Sequence, residues 1–325
     1  MPIPQIVFFF VIIGGMRVVQ KVCSKTVSNQ IDGSTYFHYG GYYQLLSAVF
    51  SLFLLFFIGW QELKDAEAMK MYVAYAAGTA AFLTIELFTE IEALKGSSLI
   101  VGQMFQAGAL FIPCLFGHFF IEDQAMNVWE WLGLCVFMVA MYLMISQKRA
   151  KNEDASEEKP KQKISLKTIL MLVLMLLAGG GTMVVQNAFG NLMEDGNTAL
   201  YSVLMFAINA LVLYICYLVQ ALFFKKPSAI PQQTQEVKKE PKLKLLPKVL
   251  LICGAFLAVA LCAINYLVTE LTSVVAPSLL FSLSSAIAII VTMLVGRFVY
   301  GEKMSLRNVV GIVLCAGSLA MISFL

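Results

Sequence analysis

Residues 270–324 read ELTSVVAPSLLFSLSSAIAIIVTMLVGRFVYGEKMSLRNVVGIVLCAGSLAMISF, and this stretch indicates the fold class of the whole chain. Two long apolar segments are separated by one short polar turn at 300–305. The first segment carries small and hydroxyl side chains in its middle, namely Ser278, Ser282, Ser284, Ser285 and Thr292. Helices in lipid gain nothing from hydrophobic association, so small residues that allow close backbone approach must supply their packing. The stretch therefore predicts a tight helical hairpin embedded in a membrane.

The composition of the whole chain also indicates a polytopic membrane protein. Of the 325 residues, 59% are hydrophobic and 13% are charged, and the mean hydropathy is +0.80. A soluble domain carries about 25% charged residues. The net charge of +3 gives no indication of a nucleic-acid partner. The seven cysteines include no C-x-x-C pair, so neither a metal site nor a cofactor is predicted.

Ten apolar segments are long enough to cross the hydrocarbon core of a bilayer, which needs about 20 residues per helix. We predict these spans at 4–24, 37–60, 71–88, 97–120, 128–146, 166–189, 198–224, 245–268, 274–300 and 306–324. A polar linker at 147–165 separates a first five-helix half, 1–146, from a second, 166–325. Another polar linker follows at 225–244. Both linkers hold too little apolar surface to fold on their own.

The two halves share short motifs in the same order. The sequence GGMRVVQ at 14–20 matches GGTMVVQ at 180–186, and TE at 89–90 matches TE at 269–270. A further match joins LC at 134–135 to LC at 314–315. Each half has an odd number of spans, so the repeats must lie upside-down relative to each other, as in many secondary transporters. The sequence thus predicts an all-α membrane protein with ten transmembrane helices in two inverted five-helix repeats.

The last two spans resemble those of a known group of transporters. The turn GEKMS at 301–305, followed by VGIVLCAG at 310–317, is similar to the final helical hairpin of the drug/metabolite transporter superfamily. That superfamily includes bacterial ten-helix metabolite exporters, nucleotide-sugar transporters and triose-phosphate transporters. The resemblance covers the whole chain at the level of fold and names no substrate. It implies a central cavity lined by helices one, three, four, six, eight and nine, with helices five and ten at the periphery or in a dimer interface.

Polar side chains inside the spans are costly in lipid and are expected to face a cavity. On the first span, Arg17 and Gln20 share one face with Lys21 and Ser24. In the sixth span, Gln186 and Asn187 take the places of Gln20 and Lys21, so these two helices are predicted to meet. The alternative for Arg17 and Lys21 is a helix end whose basic side chains reach the membrane surface. The predicted substrate-binding residues are Arg17, Gln20, Gln103, Gln106, Gln186, Asn187, Asn265, Tyr266 and Ser282.

Two acidic residues of the third span are candidates for coupling to an ion. Glu86 and Glu90 are four residues apart and share a helix face, where like charges repel and one carboxyl is expected to hold a proton. Proton-coupled exchange requires such a group. The alternative places Glu90 at the membrane interface, like Glu270 in the second half. The small multidrug members of the superfamily carry their essential Glu in the first helix, and this chain has no acid there, so their mechanism is not carried over.

The distribution of basic residues predicts the orientation of the chain. Nineteen Lys and Arg residues follow odd-numbered spans, whereas only Lys64 and Lys70 follow even-numbered ones. Cytoplasmic loops of membrane proteins carry an excess of Lys and Arg. We therefore expect both long linkers in the cytoplasm, both termini on the other side, and a location in a bacterial plasma membrane.

The predicted function is secondary active transport of a small organic metabolite or drug-like solute by alternating access, without enzymatic activity. The alternative is an integral-membrane enzyme that modifies lipids. Such an enzyme needs convergent catalytic groups, and the chain has only His38 and His118, with no His-x-x-x-His, Asp-x-x-Asp or G-x-S-x-G motif. A homodimer is a further expectation, because Gly311 and Cys315 form a small-residue face suited to a dimer interface or to packing within one chain.

Overall fold

The described part of the chain consists almost entirely of helices. This computed structural model describes residues 3–28, 30–31, 35–58, 66–120, 126–145, 165–192, 196–223, 247–272, 275, 277–301 and 306–324. Within these ranges there is no β-strand. The helices are α1 (Ile3–Ser28), α2 (Tyr36–Ile58), α3 (Ala66–Gly96), α4 (Leu99–Gly108), α5 (Phe111–Phe120), α6 (Val128–Ile145), α7 (Leu166–Leu192), α8 (Thr198–Phe223), α9 (Lys248–Thr272), α10 (Pro277–Phe298) and α11 (Leu306–Phe324).

The distribution of side chains is that of a protein in lipid. Large apolar side chains lie on the outside, among them Phe57, which is 81% exposed, and Leu222, which is 72% exposed. Charged side chains such as Lys21 and Glu86 are buried inside. An apolar exterior of this extent marks a surface that contacts membrane. Seven segments of the described chain are long and apolar enough to cross a bilayer, and Leu99–Phe120 is one of them. The prediction of an all-α integral membrane protein is confirmed.

The third helix is longer than the sequence predicts. Hydropathy gives a span at 71–88, whereas α3 runs from Ala66 to Gly96. The charged residues Glu90 and Glu92 end the apolar run but do not end the helix, because their carboxylates are paired within the fold. Glu90 is therefore a buried residue within α3, and its carboxylate pairs with Lys21.

The predicted fourth span, 97–120, is present as the apolar segment Leu99–Phe120, but it is interrupted between two helices. α4 ends at Gly108 and α5 begins at Phe111. The cause is Pro113, which has no N–H to donate to the carbonyl of Ala109 and whose ring clashes with a carbonyl four residues earlier. The Ala109 carbonyl instead accepts from the N–H of Ile112, three residues on, at 3.1 Å. Such tighter bonds are common where a helix ends.

Close packing around α7 depends on three consecutive glycines. A Cβ on Gly180 would lie 2.9 Å from the carbonyl oxygen of Ala109 and would also meet the side chain of Ile112. A Cβ on Gly181 would lie 2.5 Å from the ring of Phe82 on α3. Without side chains at these positions, α7 packs directly on α3 and on the break between α4 and α5. Close approach of this kind is typical of membrane helices.

The helices of the two sequence halves are interleaved. α2 packs on α8, α6 on α11, α3 on α7, and α1 on α9. The buried apolar side chains form two clusters, and each cluster draws on helices from both halves. Gly311 and Cys315 are buried inside the single chain, where α11 packs on α6 and α10, so this small-residue face serves packing within the chain. Both predicted linkers lie outside the described residues, apart from Ser165.

Candidate functional site

A small polar cavity lies where the two apolar clusters meet. Its volume is about 60 Å³, which corresponds to about four to six water-sized groups. Residues of α1, α2, α3, α4, α7 and α9 line it. Met183 and Ile264 belong to one cluster, and Leu83 and Leu257 to the other. Helices from both halves of the chain therefore form its wall.

One side of the cavity contains a buried ion pair. The Nζ atom of Lys21 on α1 lies 2.8 Å from Oε1 of Glu90 on α3, and the side chains are 0% and 5% exposed. Of the two alternatives for Lys21, the position at a membrane surface is excluded by this burial. Two charges removed from water are tolerated only when they compensate each other in good geometry. Glu90 lines the cavity, and Lys21 lies behind it.

Glu86 lines the cavity one helical turn before Glu90. Its Oε1 atom accepts a hydrogen bond from Nε2 of Gln106 at 3.0 Å. Gln106 is in the last turn of α4, immediately before the interruption that Pro113 causes. Gly179 of α7 lies on the other side of Glu86, because a Cβ at this glycine would be in van der Waals contact with Oε1 of Glu86 at 3.5 Å. Glu86 is thus held between α4 and a bare stretch of α7.

Arg17 is the other charged residue of the lining, and it has a different environment. Its side chain is 6% exposed. Within the described residues, its Nε atom has no hydrogen-bond partner, and no carboxylate lies within ion-pair distance. Glu86 interacts with it electrostatically across the cavity. The guanidinium is therefore buried and lacks the direct partner that such a group normally requires.

The second half of the chain contributes uncharged polar groups to the cavity. Gln186 on α7 donates from Nε2 to Oδ1 of Asn265 on α9, and Asn265 donates in turn to the carbonyl of Leu261 at 2.9 Å. The hydroxyl of Thr182, one turn before Gln186, is buried in the lining without a partner among the described residues. These contacts hold the side-chain amides of Gln186 and Asn265 in place, whereas the Thr182 hydroxyl makes no hydrogen bond within the described residues.

The structure brings together most of the residues predicted from sequence, but not all of them. Gln103, Asn187 and Tyr266 lie outside the cavity lining. The side chain of Ser282 lies outside the described part of the structure. Those that do line the cavity are Arg17, Gln20, Glu86, Glu90, Gln106, Gln186 and Asn265. α1 packs mainly on α9 and α10, and α7 mainly on α3, so the first and sixth predicted spans face each other across the cavity rather than packing together.

The sequence reasoning missed the contribution of α2. Tyr43 and Gln44 line the cavity, and Oε1 of Gln44 has no partner among the described residues. The resemblance implies lining by helix nine instead of helix two, but no described side chain of α10 lies in the lining. A signal was present, since Gln44 is an amide within an apolar segment. Such a residue is expected to face a cavity.

Polar contacts close one end of the bundle beside Glu90. Nζ of Lys25 on α1 donates to the carbonyl oxygens of Leu94 and Ser97 at 2.6 and 2.7 Å. Glu92 accepts from Tyr36 on α2 at 2.7 Å and from Lys167 on α7 at 2.8 Å. These contacts join the ends of α1, α2, α3 and α7. The cavity is therefore sealed at this end.

The two histidines lie away from the cavity. The ring of His38 stacks on Tyr217 at a centroid distance of 5.0 Å. Nδ1 of His118 accepts a hydrogen bond from the N–H of Met126 at 2.9 Å, and its ring packs against Trp131. Both imidazoles thus take part in packing between helix ends.

Comparisons with known proteins extend the description of the fold. No protein-family model matches the chain, and no curated protein matches it. A solved structure described only as "Crystal structure of protein" is similar over 96% of this chain and 95% of that one, with a TM-score of 0.59 and 13% sequence identity. Likeness at this level of identity concerns the fold alone. The whole chain therefore has an architecture also found in a crystal structure.

Proposed function

We propose that this protein is a secondary transporter of the drug/metabolite type, which moves a small organic solute across the membrane by alternating access. The observation that carries the proposal is the polar cavity between the helices. It places Arg17, Glu86 and Glu90 among helices whose outer faces are apolar. Ionisable groups in such positions are costly and generally mark substrate or ion pathways. Coupling by a proton on Glu86 or Glu90 belongs to the same proposal.

The packing of the helices supports ten spans in two inverted repeats. If α4 and α5 together form the fourth span, α1–α6 correspond in order to α7–α11. Exchanging the halves then converts the α1–α9 contact into the α7–α3 contact, and both are present. It likewise converts α2–α9 into α8–α3, and it leaves α2–α8 and α6–α11 unchanged. A contact pattern that is unchanged by this exchange is expected of two similar halves related by a twofold axis.

The sealed end of the bundle supports a state that is closed on one side. Lys25, Lys95 and Lys167 all lie at this end. Because basic residues favour the cytoplasmic side, we assign the sealed end to the cytoplasm, as expected for a bacterial plasma membrane. In alternating access, the contacts of Lys25 and Glu92 would break when the protein opens to this side. A homodimer stays a prediction.

Transport by the purified protein in liposomes tests this proposal. Vesicles loaded with a panel of unlabelled metabolites are mixed with labelled ones, and uptake and exchange are followed. We expect exchange of at least one small solute, and loss of most of that exchange in Gln106→Leu and Gln186→Leu. The matched control is Gln103→Leu, since Gln103 is buried on the same helix as Gln106 but outside the cavity.

Two results would count against the proposal. If no member of a broad metabolite panel crosses vesicles that contain folded protein, transport is the wrong function. If exchange occurs but Gln106→Leu and Gln186→Leu behave like Gln103→Leu, the transported solute does not use this cavity. Circular dichroism and the size-exclusion profile of each variant show that the protein has kept its fold.

A further inference from the structure

Arg17 is a buried cation that interacts with Glu86 electrostatically but has no direct hydrogen-bond or ion-pair partner at Nε among the described residues. Lys21 is neutralised by Glu90 at 2.8 Å, whereas the Arg17 guanidinium has no ion-pair or hydrogen-bond partner at its buried Nε among the described residues. A guanidinium recognises carboxylates particularly well, because its planar donors match their two oxygens. An oxyanion inside the cavity would supply this missing contact.

The charges around the cavity indicate how much negative charge such a ligand carries. With Glu90 paired to Lys21, the remaining groups are Arg17 and Glu86. When Glu86 is protonated, the two cations and two acids together carry one net positive charge, which is their most positive state as long as the Lys21–Glu90 pair stays ionised. One carboxylate neutralises that charge, whereas a dianion would leave an uncompensated negative charge in a medium of low polarity. The charge balance therefore favours a monoanion.

The other unpartnered polar atoms of the lining indicate which hydrogen-bonding groups the ligand carries. The Thr182 hydroxyl can donate to a carboxylate, and the Oε1 atoms of Gln44 and Gln106 can accept from a hydroxyl. Leu83 and Leu257 present apolar surface to the same cavity. The volume of about 60 Å³ corresponds to about four to six non-hydrogen atoms, by comparison with water.

From these observations, and resting on the proposed transport function, we infer that the cavity binds a small organic monocarboxylate that carries a hydroxyl group. Its carboxylate pairs with Arg17 and accepts from Thr182, and its hydroxyl donates to the amide oxygens of Gln44 or Gln106. Specificity then follows from charge, because a neutral analogue of the same shape leaves Arg17 unpaired. Sites that hydrogen-bond a particular group strongly reject ligands that lack it.

Equilibrium binding to the purified full-length protein in nanodiscs tests the inference. Lactate is the probe, lactamide is the neutral analogue of nearly equal shape, and malonate is the dianion. Isothermal titration is expected to show binding of lactate, at least tenfold weaker binding of lactamide, and weaker binding of malonate. Arg17→Gln is expected to lower lactate affinity about 10- to 100-fold, which is the range expected for a hydrogen bond to a charged group. Arg297→Gln is the matched control, because Arg297 is exposed on α10 and outside the lining.

Thr182→Val provides a second variant that keeps the shape of the side chain, and a several-fold loss of lactate affinity is expected. Equal binding of lactate and lactamide, tighter binding of malonate, binding of none of the three, or unchanged affinity in Arg17→Gln would overturn the inference. Transport measurements separate this outcome from failure of the proposed function. Exchange of a neutral solute that survives Arg17→Gln would leave transport standing and remove the carboxylate site. Binding of lactate by a protein that exchanges no solute would leave the carboxylate site standing and remove transport.

Discussion

At the scale of single residues, the Lys21–Glu90 pair is the feature with the largest expected effect on stability. Lys21→Met leaves Glu90 as a buried carboxylate without its partner, and Glu90→Gln leaves Lys21 in the same position. Removing one member of a buried ion pair costs about 3–5 kcal/mol. We expect each single variant to unfold at a clearly lower temperature, as measured by the fluorescence of detergent-solubilised protein.

The double variant Lys21→Met/Glu90→Gln distinguishes pairing from two separate packing effects. It removes both charges, so we expect it to be more stable than either single variant. Losses that simply add up in the double variant would contradict a direct interaction between the two side chains.

The sequence predicts a position in the cavity lining where a single polar group lies inside an apolar segment. Gln20, Gln186 and Asn265 belong to this class, because a membrane span offers an amide no favourable position except inside the fold. The sequence does not predict the Lys21–Glu90 pair, whose members are 69 positions apart. Helix periodicity shows which residues share a face, but it contains no information about which side chain of another helix lies opposite.

At the scale of secondary structure elements, the glycines of α7 are expected to be essential to packing. Gly180→Ala places a methyl group against the backbone carbonyl of Ala109, which cannot rotate away. Overpacking of this kind costs about 1–3 kcal/mol. Gly15→Ala is the control, because a Cβ there meets no atom of the described residues within 4 Å. We expect Gly180→Ala to lower the unfolding temperature, and Gly15→Ala to leave it unchanged or raise it. The reverse order would show that α7 does not approach α4 and α5 as described.

The interruption between α4 and α5 leads to a prediction about function rather than stability. Pro113→Ala supplies an N–H at residue 113 that can donate to the carbonyl of Ala109 in place of the N–H of Ile112, so the two helices can join into one. Continuous helix is intrinsically favoured there, since an interior proline costs about 3 kcal/mol or more. We expect unchanged or higher thermal stability and reduced transport, because Gln106 would turn away from Glu86. Full transport by a stable Pro113→Ala protein would show that the interruption has no role in the site.

Among the elements, sequence reasoning placed the helices but not all of their ends. The apolar segments were long, so their existence followed from hydropathy alone. Hydropathy predicts α3 too short, because charged residues usually end an apolar span, whereas Glu90 and Glu92 are paired inside the fold. Hydropathy also gives no sign of the interruption at 109–110, because 97–120 is apolar throughout; only Pro113 indicates it.

At the scale of the whole molecule, the basic residues predict the side on which each segment lies. With the ten spans proposed above, both termini lie on one side and the linkers at 147–165 and 225–244 on the other. A green fluorescent protein fused within either linker is expected to fluoresce in a bacterial expression host, because this protein folds only in the cytoplasm. A fusion at the C-terminus is expected to remain dark. If only the C-terminal fusion fluoresces and both linker fusions do not, the orientation is the opposite of the one assigned. If only one of the two linker fusions fluoresces, the number of spans is wrong.

Most charged groups of the cavity break the similarity between the halves, whereas Glu90 keeps it, because Glu90 corresponds to Glu270 at the offset of 180. At the offset of 166 that aligns GGMRVVQ with GGTMVVQ, Arg17 corresponds to Met183 and Lys21 to Asn187. At the offset of 180 that applies later in the chain, Glu86 corresponds to Tyr266. All ionisable groups of the described lining that can carry charge at neutral pH thus come from the first half, whereas Thr182, Gln186 and Asn265 of the second half are neutral. The repeat predicts the shape of the cavity, and the departures from it supply the chemistry.

The balance of two cations and two anions in this group has an electrical consequence. A membrane potential acts on a moving charge with about 2.3 kcal/mol per elementary charge for each 100 mV. Arg17, Lys21, Glu86 and Glu90 together carry no net charge when both carboxyls are ionised, and all four belong to the same half of the chain. If the protein is the proposed transporter and that half changes its orientation with the cavity empty and both carboxyls ionised, the voltage does almost no work on the protein. In that charge state, the empty protein would return at the same rate in energised and in de-energised cells.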